Sequence, residues 1–150
     1  MGIGLGPTGR LESNQVAWLA GDLSAFVDLD LGRLGIRIAL ELQPGLQGFS
    51  SYSRPPAHLF GGIDSQLRLH FTERFGIGVG LVLGVGASSE GFGSFGAWFG
   101  LGPTLTLAAL RLGPGLNHEV SLGSSLLFAA GASNFAFAGG LAVLKYAYLF

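Results

Sequence analysis

Through most of this chain a large apolar residue returns at every second position, and that period of two limits its folds more than any other feature. Phe75-Gly76-Ile77-Gly78-Val79-Gly80-Leu81 alternates large apolar residues with glycine. Arg33-Leu34-Gly35-Ile36-Arg37-Ile38-Ala39-Leu40-Glu41-Leu42 and Ser65-Gln66-Leu67-Arg68-Leu69-His70-Phe71 alternate without a fault. Successive side chains of an extended strand point to opposite faces, so a period of two marks strands. Two spanning helices are the competing possibility, because Gly91 to Leu110 and Val120 to Leu144 carry no charge and are long enough. A helix would instead spread Arg33, Arg37 and Glu41 among leucines in lipid, at several kcal/mol each. The expectation is strands.

Composition separates the two barrels that such strands build. Charged residues are 11% of the chain, against about 25% in a soluble domain. Hydrophobic residues are 49%, mean hydropathy is +0.52 and glycine fills 27 positions. In a lipocalin-like soluble barrel the second face, here Gly, Ala, Ser and a few charges, would have to keep the molecule in solution. Turned inward, those small residues suit a cramped lumen while Leu, Ile, Val and Phe meet lipid, as in membrane barrels. Eight Lys/Arg against nine Asp/Glu leave no basic patch for nucleic acid. The absence of cysteine excludes a disulfide scaffold, a thiolate zinc site and a Cys nucleophile. The 150 residues suit one domain, 1–150.

Turn chemistry then counts the strands. Asp30-Leu31-Gly32-Arg33 reads as a hairpin with Leu31-Gly32 as its two-residue loop, and polar parity changes across it from even (Asp22, Ser24, Asp28, Asp30) to odd (Arg33, Arg37, Glu41). Thr72-Glu73-Arg74 is a three-residue loop with no parity change, and Gly113-Pro114 marks a third tight connection where parity changes from Thr104/Thr106 to Glu119/Ser121. Longer polar connections fall at 7–15, 47–57, 88–92 and 131–134, the second containing Pro55-Pro56, which cannot sit inside a ladder. The expected strands are 2–6, 16–30, 33–45, 58–71, 75–87, 93–111, 115–130 and 135–150, eight in all, the first short. Fold class is therefore all-β: a transmembrane antiparallel up-and-down barrel with short periplasmic turns and longer extracellular loops.

The last strand, Leu144-Lys145-Tyr146-Ala147-Tyr148-Leu149-Phe150, ends on phenylalanine with Tyr146 and Tyr148 on alternate positions before it. Here the chain resembles the small bacterial outer-membrane β-barrels of the OmpA/OmpX type, over its whole length as architecture and over this strand as a motif. The resemblance implies that Tyr146, Tyr148 and Phe150 are the assembly signal read by the barrel-assembly machinery; an aromatic girdle at the membrane interface explains them equally. It also implies the bacterial outer membrane as location, membrane lipid as surroundings and a monomeric state. Met1-Gly2-Ile3-Gly4-Leu5 lacks a basic n-region and a long apolar stretch, so Met1 reads as the start of a mature chain.

Inward parity collects Asp22, Asp28, Asp30, Arg33, Arg37 and Glu41 on two adjacent strands, with Asp64, Arg68 and His70 on the next. A turn at Leu31-Gly32 sets Asp30 opposite Arg33, with Asp28 diagonal to Arg33 and Arg37, so these four are expected to form one buried ion-pair cluster. With Glu41, Asp64 and Arg68 they make either a structural plug or a charged constriction. An eight-stranded lumen is only wide enough for side chains to fill it, which favours the plug. A glycine wall (Gly76, Gly78, Gly80, Gly84, Gly86, Gly96, Gly100, Gly102) marks close approach by bulk such as Phe26, Phe60, Val82 or Trp98, or a small apolar ligand pocket.

Of His58, His70 and His118, no pair has metal-ligand spacing, and no cofactor is implied. His118 has lipid-facing parity. Lipid A deacylases are barrels of this size that place His and Ser on the lipid face of one strand, whereas His118 is followed two residues on by Val120. No nucleophile, base and orienting group assemble, so the reading is non-enzymatic. A structural or surface-interaction barrel leads, ahead of a narrow channel or small hydrophobic-ligand barrel, with a lipid-modifying enzyme last.

Overall fold

In the computed structural model eight antiparallel strands follow one another in chain order and close into a barrel. They are β1 (Gly2–Glu12), β2 (Ala17–Leu31), β3 (Leu34–Gly48), β4 (Ala57–His70), β5 (Phe75–Ser88), β6 (Gly96–Leu112), β7 (His118–Gly131) and β8 (Phe135–Leu149). The structure describes residues 1–12, 17–48, 57–88, 96–131 and 135–150, and the side chains of 1–7, 20–45, 59–87, 99–128 and 143–150. Of the expected loops, 49–56 with the paired prolines lies outside the described residues, as do 13–16, 89–95 and 132–134.

The first strand is not short. β1 continues through Pro7 to Glu12 and pairs with both β2 and β8, which closes the barrel. Its glycines permit the seam: a Cβ on Gly6 would stand 1.8 Å from the Leu144 carbonyl oxygen, and one on Gly2 would stand 2.5 Å from the Phe26 ring. The Phe150 N–H donates to the Met1 carbonyl at 2.9 Å, pinning the two termini together.

Alternation decides which face is which. Leu40, Val85 and Leu67 point outward with 63%, 63% and 51% of their surface exposed, while Asp22 and Glu119 are buried in the lumen at 1%. This inverts the arrangement of a soluble protein, in which charged residues are almost never fully buried unless paired. Two small apolar clusters share the lumen with the charges, Phe60–Val82–Leu127 and Phe26–Ala39–Ala147.

Two turn details correct the expectation. The β2–β3 loop is Gly32-Arg33, not Leu31-Gly32, because Gly32 takes φ +85° at the first central position while the Asp30 carboxylate accepts its N–H at 2.8 Å. Glycine at that position fits the type II′ geometry that matches strand twist. Leu31 therefore faces Leu34, Asp30 faces Gly35 and Asp28 faces Arg37. At the β6–β7 connection Leu112 faces His118 across five residues, an odd number that preserves parity. The parity change comes instead from a bulge: an extra residue in β6 between Thr106 and Ala109 turns the lumen-facing set from Thr104/Thr106 to Ala109/Arg111.

Candidate functional site: the charged lumen

One carboxylate organises the turn-side half of the lumen. Glu119 on β7 accepts from Arg68 Nη1 and Nη2 at 3.0 Å each, and from Arg37 Nη1 and Nη2 at 2.7 and 3.2 Å. Arg37 also grips Asp28 with Nε at 2.6 Å and Nη2 at 2.7 Å. Arg111 completes the set at 3.6 Å from Glu119 and 3.8 Å from Asp28. Because β3 and β7 lie four strands apart in the closed ring, the Arg37–Glu119 pair braces the barrel across its bore. The Arg37 guanidinium also lies 3.8 Å from the Phe26 ring centroid, a cation–π contact that closes the space beside it.

A second group sits further in. Lys145 on β8 reaches across to Glu41 on β3 and lies 3.1 Å from Asp22 on β2, while Gln43 Nε2 donates to Asp22 at 2.9 Å and Glu41 at 3.2 Å. Asp64 on β4 accepts from Thr104 on β6 at 2.9 Å and from Gln66 at 2.6 Å, and Gln66 in turn accepts from Thr106 at 2.9 Å. A cavity of about 60 Å³ remains beside this group, lined in part by Asp22, Glu41, Asp64, Thr104 and Lys145. One water needs roughly 10–15 Å³, so a few waters fit and a hydrated ion path does not.

The glycines of β5 explain the bonds from β4 to β6. Gln66, Gly80 and Thr104 lie in one row, as do Arg68, Gly78 and Thr106, so β4 side chains meet β6 hydroxyls over β5 positions that offer no side chain of their own. A Cβ on Gly80 would stand 2.7 Å from Gln66 Cγ, and one on Gly84 would stand 2.6 Å from Phe60 Cζ. Of the residues expected to fill this space, Phe60 does so against Gly62 and Gly84; the Trp98 side chain lies outside those described.

The structure thus brings together Asp28, Arg37 and Arg68 in one network and Glu41 and Asp64 in the other. Asp30 and Arg33 do not join. Both are exposed at the turn, and Asp30 caps Gly32 rather than meeting Arg33. The two-residue register difference removes them, since Arg33 is itself a loop residue. Residues that parity reasoning did not assemble carry much of the site. Arg111 stays hidden behind the bulge, Glu119 and Lys145 find partners on strands that are not neighbours, and Gln43 bonds Asp22 on the adjacent β2 and Glu41 on its own strand. Their inward parity was the available signal for Glu119, and for Lys145 its place one residue before Tyr146.

Tyr146, Tyr148 and Phe150 lie on the outer surface in an aromatic row. The Tyr148 ring meets Phe150 edge-on at 5.3 Å and His118 at 5.4 Å, and His118 Nδ1 is 2.6 Å from the Tyr146 hydroxyl. Among the described residues no three His, Cys, Asp or Glu side chains converge as metal ligands.

No family model matches the sequence, and no curated protein matches it closely enough to count as a relative. Solved structures do match. Neisserial surface protein A is similar with TM-score 0.70 at 15% identity, over 99% of this chain and 95% of that one. The outer membrane enzyme PagL is similar with TM-score 0.67 at 10% identity, over the whole of both chains (100% each). The fold is that of the small outer-membrane β-barrels. At such identities the likeness speaks for the architecture alone, and the charged lumen has to be read from its own geometry.

Proposed function

We propose that the chain is an integral protein of the bacterial outer membrane, one domain over residues 1–150, acting as a structural or surface-interaction barrel whose lumen is plugged. The observation that carries this reading is the Arg37–Glu119–Arg68 brace across the bore of a barrel whose outer face is apolar. In this reading the short turns face the periplasm and the loop-side ends face the exterior. The protein is a monomer among membrane lipids, and the C-terminal row Tyr146, Tyr148 and Phe150 serves the barrel-assembly machinery during insertion. A non-enzymatic role is supported by His118, the only histidine described on the outer face: its Nδ1 is engaged by the Tyr146 hydroxyl, and Val120 stands two residues on. PagL, an enzyme of similar fold, keeps a lipid-modifying role as the competing reading.

The test is conductance of the refolded protein in a planar bilayer. The plugged barrel gives no stepwise current, because any path meets paired charges that fill the bore. Regular steps from the unmodified protein would replace the plug with the narrow-channel reading.

A further inference from the structure

On the outer surface, β8, β1, β2 and β3 enclose an apolar groove of about 480 Å³. Two cross-strand rows build it: Tyr148–Ile3–Ala25–Leu40 and Tyr146–Leu5–Leu23–Leu42. Ala25 makes the depression, because its outward-facing neighbours on β2, Leu23 and Val27, are large while it ends at Cβ. One wall of the groove is polar at its tips only, where the Tyr146 hydroxyl meets His118 Nδ1 at 2.6 Å and the Tyr148 ring lies against His118. Both rows end on β8 close to the pinned termini, so the polar rim belongs to the turn-side edge of the barrel.

We infer that this groove is a resident phospholipid site, holding one acyl chain over Ala25 with the headgroup beside His118 and Tyr146. The inference rests on the proposed membrane reading, which puts this face against hydrocarbon and its tyrosine tips at the interface, where amphipathic rings sit. The shape favours a chain over a protein partner. A second barrel presents a convex surface that would bridge the groove and leave it empty, whereas a single acyl chain lies along its floor. The hydrogen-bonded pair of Tyr146 hydroxyl and His118 imidazole keeps one donor, the hydroxyl or the Nε2–H according to tautomer, for a phosphate or glycerol ester oxygen at the mouth, and the groove itself offers no polar side chain to anything else.

The experiment refolds the protein into vesicles of phosphatidylethanolamine and phosphatidylglycerol, releases it gently into detergent and counts bound phospholipid by native mass spectrometry. The unmodified barrel retains one phospholipid. Ala25→Trp, which fills the depression, loses it, and Tyr146→Phe retains less, while Ala87→Trp on the outer face of β5 retains it. Should Ala25→Trp fail to fold, Ala25→Leu fills most of the same space and gives the same readout. Equal retention by the Ala25 variants and the unmodified protein, or equal loss in Ala87→Trp, overturns the site and leaves only unspecific boundary lipid. Failure of the unmodified protein to enter vesicles at all overturns the membrane reading instead, so the two outcomes are distinguishable.

Discussion

At the residue scale Glu119 is a fully buried charge that two arginines share. A carboxylate 1% exposed has lost its water, and the donors of Arg37 and Arg68, with the nearby charge of Arg111, offset that loss. Both arginines are buried as well, so each charge depends on the others remaining. Glu119→Gln keeps the volume and removes the charge, leaving two guanidinium groups facing an amide. Breaking a buried pair costs about 3–5 kcal/mol, and equilibrium unfolding of the refolded barrel in urea should register a loss of that order. Asp30→Asn and Arg33→Gln, at the exposed turn, should each stay within about 0.5 kcal/mol of the parent. A Glu119→Gln variant as stable as the parent would remove the network from any account of what holds the lumen shut. Part of this was legible in the sequence. Asp28 and Arg37 share a face on adjacent strands, and alternation alone puts them together. Glu119 and Lys145 find partners across the bore, and a contact between β7 and β3 or between β8 and β3 has no local sequence signature. It exists only once the ring has closed.

At the scale of the strand, the bulge in β6 sets the charge pattern. Up to Thr106 the even positions face inward, and after the extra residue the odd ones do, which brings Arg111 toward Glu119 and Asp28 rather than toward lipid. In the full-length strand without a bulge, Arg111 would face lipid instead, which costs about 2–4 kcal/mol at the midplane and less toward the interface, and would lose its contacts to Glu119 and Asp28. Deleting Leu107 would restore strict alternation and a continuous ladder to both neighbours, with Ala109 and Arg111 still facing inward. The deletion should therefore be tolerated about as well as Leu107→Ala, read as the fraction that refolds to the heat-sensitive form on a gel; a deletion that abolishes refolding while Leu107→Ala does not would count against a single extra residue as the device that aims Arg111. The strands themselves, their number and their inward and outward faces follow from period two and from glycine-bearing turns. The bulge does not, because an extra residue in Thr104-Leu105-Thr106-Leu107-Ala108-Ala109 breaks no alternation that small alanines would reveal. The same is true of β1, whose continuation through Pro7-Thr8-Gly9-Arg10 reads as a loop and is held as a strand by partners on both sides.

At the scale of the molecule, a single choice organises the rest: large apolar side chains outward, charges and glycines inward. Burying paired charges in the lumen and exposing leucines is stable only if the outside is hydrocarbon, where a closed barrel satisfies its strand-to-strand backbone hydrogen bonds within itself. Ile38, outward and 49% exposed, is the fifth of the fifteen residues of β3. Ile38→Arg should cost about 2–4 kcal/mol for a barrel folded in lipid, as measured by its unfolding midpoint in vesicles, and a cost near zero there would mean that this face never meets the bilayer. The inside–outside assignment is tested most directly by nitroxide labels placed one at a time along β3 and β5 in vesicles, at Ile36, Ile38, Leu40, Val79 and Leu81 outside and at Ala39 and Val82 inside. Labels at the five outer positions should be relaxed strongly by oxygen and hardly at all by a water-soluble nickel chelate, while those at Ala39 and Val82 should show no such preference for oxygen. The reverse pattern, with the chelate reaching Ile38 and Val79 and oxygen favouring Ala39, would contradict the account.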